Sequence, residues 1–391
     1  MTTEEELRDL LLAVEVPPTT ADIGLAIATG RRQAARRGAI LAGAAAALVV
    51  AGGTAYALGA TAPDTHRDTP TAQGPQDPPF AACTLDTIQV PGAPGTPVVD
   101  PSGRHVVGSV GGIASRITDG QAVPYPGAFG EVVAVNVDGL IAGYDDTVGS
   151  SQQLAWTYHD GAKTMLPKLA GYPYTTPTAV NARGDVVGYA SGESGDDNVP
   201  VLWPADRPGT VVALSMPPGF GEPGTGGSHA SGVSDDGTVV GVVRGVAVRW
   251  LHDGSARLLP LPPGYEGAQV VAVRGTFAYG WAAVTGGNRV VPVRWFLPSS
   301  SDDPAFVMAG APFDIVDGTP TGWSITGGGD LREPVRIAPD GTVKRLPLPP
   351  GVRPLPAGRG AGARSISDDG RTVTGATGDR RLLIWHCDSP S

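Results

Sequence analysis

The chain has 391 residues, a net charge of −10, 57 glycines and 38 prolines. That charge argues against nucleic-acid binding, which needs a clustered basic face. Gly and Pro together approach the fraction at which low complexity is suspected, but here they punctuate short apolar runs, as in a turn-rich β protein.

Residues 1–38 are polar and charged. "TEEELRDLLLAVEV" sets Leu7, Leu10, Leu11 and Val14 at helical spacing, with Glu4, Glu5 and Glu6 near the helix start, where negative charge favours the dipole. Pro17 and Pro18 end this helix, and "TADIGLAIATGRRQAARRG" is a weaker second one. Residues 39–60, "AILAGAAAALVVAGGTAYALGA", run 22 positions without a charge, long enough to cross a bilayer as a helix. Arg31, Arg32, Arg36 and Arg37 precede the run, and no Lys or Arg follows until Arg67. The positive-inside rule then puts residues 1–38 in the cytoplasm, free for a cytoplasmic partner, and the rest outside. The rival reading is a cleaved signal, with "AYA" at 55–57 or "ATA" at 60–62 as the small-residue site, although 38 polar residues make a long leader. A buried Ala-rich helix is the third. Residues 61–82, "TAPDTHRDTPTAQGPQDPPFAA", hold too few apolar side chains to fold and predict a stalk.

From residue 83 to 391 the chain repeats. The unit is clearest in "SGVSDDGTVVGVVRGVAVRWLHDGSARLLPLPPGYEG": an apolar run, a polar Gly turn, a run ending in Val-Gly, a run ending near Trp, a second turn and an "LPxPPG" run. Related units begin at "VVDPSGRHVVGSV", "AVNVDGLIAGYD", "AVNARGDVVGYA" and "SISDDGRTVTGAT", with weaker ones at "AVRGTFAYGWA" and "IVDGTPTGWSI". The second-run glycines are Gly108, Gly143, Gly188, Gly241, Gly280, Gly322 and Gly375. The third-run tryptophans are Trp156, Trp203, Trp250, Trp295 and Trp385, spaced 47, 47, 45 and 90, with Ile337 in the missing place. Four short strands at a period near 44 predict an all-β, seven-bladed β-propeller; six blades is the alternative if the weak units merge. Asp235, Asp236, Asp368 and Asp369 are expected as turn formers; a calcium site in "SDDG" would need ligands that no "DxDxDG" run supplies.

The first stretch of the repeat region, "CTLDTIQVPG", aligns with a fourth run, whereas the last unit stops after three. The N-terminal strand is therefore expected to complete the C-terminal blade. Cys387, after the third strand, and Cys83, at the start of the fourth, the only cysteines, would then stand at opposite sides of one hairpin and form a disulfide that latches the ring, in an oxidising compartment. The alternative is two unrelated buried thiols.

"AVNARGDVVGYASG…VPVLWP" and "GVSDDGTVVG…AVRW" resemble the HAF-type extracellular repeat of bacterial surface proteins, over residues 98–391. The His-Ala-Phe triplet is absent; "VPVLW", "VAVRW" and "VPVRW" stand in its place. The resemblance implies the propeller and an extracellular setting, and no particular activity. The N-terminus is similar to the cytoplasmic start of actinobacterial single-pass proteins by composition only, because residues 1–60 hold no Cys or His for a zinc motif.

The six histidines (66, 105, 159, 229, 252 and 386) are scattered, and no Gly-x-Ser-x-Gly, His-Glu-x-x-His or P-loop sequence occurs. No catalytic residue, metal or cofactor is nominated. One pattern points to binding: Phe129, Tyr172, Tyr174, Phe220 and Tyr265 lie where the fourth run leads to the next unit, and such loops gather on one propeller face. Aromatic rings there can stack on sugars or grip a peptide, or simply pack between blades. The expected function is a membrane-anchored surface module that binds or senses an envelope ligand or surface protein. The rivals are a structural or adhesion protein with an inert tail, and a secreted lyase or hydrolase, since propellers also host enzymes.

Overall fold

The computed structural model describes residues 81–90, 95, 97–146, 153–193, 197–220, 227–286, 289–297, 305–308, 315–326, 334–352, 362–377 and 381–388. The proposed tail, membrane span and most of the stalk lie outside them. Among the described residues no helix is long and apolar enough to cross a membrane.

The repeat region is a seven-bladed propeller of four-stranded antiparallel sheets. Strand β1 (Cys83–Gln89) precedes the first blade. Blade 1 is β2 (Val98–Val99), β3 (Val106–Val110), β4 (Ile113–Thr118) and β5 (Gln121–Phe129). Blade 2 is β6 (Glu131–Val135), β7 (Ile141–Asp146), β8 (Gln153–His159) and β9 (Ala162–Met165). Blade 3 is β10 (Tyr174–Val180), β11 (Val186–Ser191), β12 (Asn198–Trp203) and β13 (Val212–Ala213). Blade 4 is β14 (His229–Val233), β15 (Val239–Val243), β16 (Val246–Trp250) and β17 (Ala256–Leu258). Blade 5 is β18 (Tyr265–Arg274), β19 (Phe277–Val284), β20 (Val290–Phe296) and β21 (Phe306–Val307). Blade 6 is β22 (Ile315–Gly318), β23 (Ser324–Thr326), β24 (Val335–Ile337) and β25 (Val343–Arg345). Blade 7 is β26 (Gly362–Ile366), β27 (Thr372–Ala376) and β28 (Arg381–Cys387), completed on its outer edge by β1.

The closure expected from the sequence is therefore present. β1 pairs with β28 from Cys83↔Cys387 to Gln89↔Arg381. The two sulfurs stand at bonding distance, 2.04 Å, across a sequence separation of 304. Ile88 and Val90 pack against Val99, Val106 and Ile117, which ties this borrowed strand to blade 1 as well.

The conserved shape of the unit has a packing cause. Inner strands carry a β-bulge, as at Pro177/Ala179 and Val270/Ala272, which bends the strand and raises its twist. The bulge presses the inner backbone onto the second strand. A Cβ on Gly188 would sit 2.0 Å from the Thr176 carbonyl oxygen, and one on Gly280 1.9 Å from that of Gln269. Only glycine fits there. Blade 6 departs from the expectation: Gly322 lies in the turn before β23 with φ +94°, and Thr326, paired with Ile315 at the bulge, takes the position of the second-run glycine.

The tryptophans are buried between sheets. Trp203, Trp250, Trp295 and Trp385 pair with Val186, Val239, Ala278 and Val373, the same place in four blades. Each indole N–H donates to a carbonyl just beyond the outer strand of the preceding blade: Pro167 (2.8 Å), Ser215 (2.6 Å), Pro260 (2.8 Å) and Pro347 (2.7 Å). The leucine before each acceptor (166, 214, 259 and 346) donates its own N–H back to its own blade. The leucine and the residue after it, proline in three blades and Ser215 in the other, are thus two half-clips, one facing each sheet. In blade 2 the equivalent of these tryptophans is Tyr158, opposite Ile141, while Trp156 pairs with Gly143 two residues earlier. The even spacing of 47 conceals this step. Tyr158 packs at a tilt against Tyr125 of blade 1 with ring centres 5.2 Å apart, and Trp156 Nε1 has no hydrogen-bond partner among the described residues.

Candidate functional site

The propeller has two unlike faces. On one, outer strands lead to the next inner strand, the loop face. On the other lie the hairpin turns between first and second and between third and fourth strands, the turn face.

The five aromatic residues map to the loop face by topology. Phe129 ends β5 one residue before β6, Tyr172 precedes β10, Tyr174 opens β10, Phe220 follows β13, and Tyr265 opens β18. Their surroundings differ. Phe129 is 59% exposed. Tyr174 is half-buried at its pairing with Ser191. Tyr172 packs partly buried against the cluster of Ala142, Val186 and Trp203, Phe220 against that of Leu214 and Trp250, and Tyr265 against that of Leu259 and Trp295. No ring–ring contact joins any two of the five among the described residues. The most exposed, Phe129, sits over a polar anchor. Lys163 Nζ donates to the Phe129 carbonyl at 2.9 Å and to both Asp145 oxygens at 2.7 and 2.8 Å, and lies 4.9 Å from the Trp156 ring centre. Also on this face, His229 opens β14 with its ring against Tyr189 at 6.3 Å. Burial lowers its pKa, opposed by a backbone hydrogen bond at Gly227, so the imidazole is neutral at pH 7.

The turn face holds a second constellation that the sequence did not reveal. Polar residues of the first turns join neighbouring blades, Asn136 and Asn181 from buried positions. Asn136 Nδ2 donates to the Asn181 carbonyl at 3.0 Å, and Asn181 Nδ2 to the Ser234 carbonyl at 3.0 Å. Asp235 Oδ1 accepts from Ala182 N at 2.8 Å, and Asp368 N donates to the Pro101 carbonyl at 2.7 Å. "AVNVDG", "AVNARG" and "SDDG" are therefore turn formers, as expected, and links of a ring.

Arg274, at the end of inner strand β18, gives this ring its charge centre. It holds Asp317 of blade 6 through Nε (3.3 Å) and a terminal nitrogen (3.1 Å). Asp317 Oδ2 also accepts from Ser365 Oγ (3.2 Å) and Ile366 N (3.1 Å) of blade 7. A further guanidinium nitrogen lies 3.9 Å from Asp368 Oδ1, an oxygen that is buried and makes no hydrogen bond. Burial would lower the pKa of Arg274, but the Asp317 carboxylate, with Asp368 and Asp235 adding to it, outweighs it, so the guanidinium is charged throughout. Burial pushes the Asp368 carboxyl up to about 6; Arg274 opposes this, and Asp317, Asp235 and Asp100 add to it. One cation thus serves several carboxylates. Among the described residues no group of three His, Cys, Asp or Glu is arranged to hold a metal ion.

No family model matches the chain, and no curated protein matches it. Solved structures do. Virginiamycin B lyase from Staphylococcus aureus is similar with a TM-score of 0.53 at 14% identity, over 78% of this chain and 100% of that one. A streptogramin B lyase is similar at 0.49 and 16%, over 78% and 98%. TolB from Acinetobacter baumannii is similar at 0.40 and 12%, over 77% and 66%. At these identities the likeness shows the propeller fold alone, and the fold does not choose among activities.

Proposed function

We propose that the chain is a surface binding module: an extracellular propeller of the HAF-repeat kind, anchored through residues 39–60, that takes an envelope ligand or a surface protein on its loop face. The observation that carries this reading is Phe129, a large aromatic side chain 59% exposed at the loop-face end of β5, whose backbone carbonyl is held by Lys163, itself paired with Asp145. Exposed aromatic rings on a rigid scaffold are the usual anchors for sugars and peptides. Tyr174 is the second contact; Tyr172, Phe220 and Tyr265 shape the floor from the blade seams.

The test is co-sedimentation of the full chain with the insoluble envelope fraction of its producing cells. Phe129→Ala combined with Tyr174→Ala should weaken capture about 10-fold or more, the loss expected when hot-spot aromatics are truncated. Capture unchanged by both substitutions, with the same thermal midpoint as the parent, would remove the loop face from this reading.

A further inference from the structure

The placement of the Cys83–Cys387 pair says something about force. The chain enters the propeller at Ala81, whose N–H donates to the Arg345 carbonyl of blade 6 at 2.7 Å, and at Ala82, whose carbonyl accepts from Asp388 N at 3.0 Å. Cys83 is the next residue and the first register pair of β1 with β28. Any pull transmitted along residues 1–82 therefore reaches the disulfide before the remaining pairs of β1.

The two strands it joins are held very differently. β1 is an outer strand whose residues are mostly exposed or half-buried, with only Ile88 buried inside it. β28 is paired on both sides, by β1 and β27. Leu382, Leu383, Ile384 and Trp385 of β28 are all buried, Trp385 is clipped to Pro347 of blade 6, and Cys387 N donates to the Arg371 carbonyl at 2.7 Å. An outer strand with little buried apolar area frays readily from its end, whereas a central strand opens only with the whole blade.

We propose that the disulfide is a mechanical bypass: tension arriving from residues 1–82 is passed from Cys83 directly to β28, so the weakly held closing strand carries none of it. A latch at the opposite end, Gln89↔Arg381, would close the ring equally well at rest and would leave β1 to peel under load. The proposal rests on the reading that residues 39–60 anchor the chain, but not on which ligand the loop face binds, or on whether it binds one.

Force spectroscopy on the full chain tests it. One handle is placed at the N-terminus and the other on a short enzymatically labelled tag inserted after Gly254, in the exposed turn between β16 and β17 on the turn face, so that the pull on Cys83 runs across β1 rather than along it. Oxidised protein should show no extension step from β1 before the propeller opens. Adding a small dithiol reductant to the same tethered molecules should introduce an early step at lower force. Its length should be about 25 Å, the reach of the seven residues of β1. Cys83→Ser with Cys387→Ser should show that step without reductant; if this variant fails to fold, reduction of the folded wild type still decides the matter. The same early step in oxidised protein, or no separate step after reduction, would overturn the proposal.

Discussion

Blades 3, 4, 5 and 7 meet the blade before them through one device, and blades 1, 2 and 6 through others. In the first group a buried tryptophan reaches across the seam and donates its indole N–H to a backbone carbonyl. In the second the same slot holds Ile117 against Ile88 and Val90, Tyr158 against Tyr125, or Ile337 beside Met308. Blade 6 lacks both the tryptophan and the second-strand glycine, and Thr326 instead accepts a hydrogen bond from Val335 N. Filling the slot is thus the requirement of the fold, and the hydrogen bond is an addition made where a carbonyl stands at the right place.

The strongest way to break this comparison is to remove the filling. Trp250→Ala leaves a cavity and an unpaired carbonyl, and should cost about 3–5 kcal/mol, read as a lower thermal midpoint. Gly188→Ala tests the bulge from the other side. Its methyl group would meet the Thr176 carbonyl at 2.0 Å, so backbone must shift, at a cost of about 1–3 kcal/mol or more. Thr326→Ala, at the equivalent place in blade 6, loses one hydrogen bond and should cost about 1 kcal/mol. Equal losses at the two sites would contradict the close approach.

A paired substitution sharpens the comparison further. Trp250→Phe keeps much of the ring and removes the N–H that Ser215 accepts, so it should destabilise by about 1–3 kcal/mol from the orphaned carbonyl and lost volume. Trp156→Phe removes an N–H that has no partner among the described residues, so its cost should be smaller, arising from lost ring volume and a weaker contact with Lys163. Denaturant midpoints of the two variants compare them directly.

The smallest expected effect is at the turn face. The Asp368 pKa of about 6 stands above the ordinary 3.8, so between those values the folded chain binds more protons than the unfolded one. The cost of this carboxylate is absent below about pH 4, grows as pH rises to about 6, and persists above it. Asp368→Asn should therefore stabilise the propeller at pH 7 to 8, by on the order of 1 kcal/mol because the side chain is partly solvated, and should flatten the dependence between pH 4 and 6. Melting curves at stepped pH, parent against variant, check the sign.

Much of the architecture could be read from particular residues. The Asp-Gly and Asn-x-x-Gly turns and the Val-Gly runs pointed to seven blades, with six left as the alternative, and the unmatched fourth run at Cys83 pointed to the closing strand, because each is local chemistry repeated along the chain. The errors came where the signal has period two. Trp156 and Tyr158 lie on the same side of β8, so spacing alone could not tell which fills the slot. Gly322 stood in for Thr326 because a turn glycine and a packing glycine look alike in sequence. The Arg274–Asp317–Asp368 cluster was hidden for a different reason. Its members come from three blades, occupy unlike positions and repeat nowhere, so only the folded ring brings them together. The aromatic five were visible as a set, but which of them pack into a buried cluster and which, like Phe129, face solvent is set by tertiary neighbours that the repeat pattern does not encode.

The claim on which the account rests is that the strand beginning at Cys83 closes the last blade. Non-reducing peptide mass mapping of the native chain tests it most directly. The account predicts one linked species joining the Cys83 and Cys387 peptides, an intact mass about 2 Da lower before reduction than after, and a lower thermal midpoint once reduced. Two free thiols in the native protein, or an intermolecular Cys83 linkage, would contradict it.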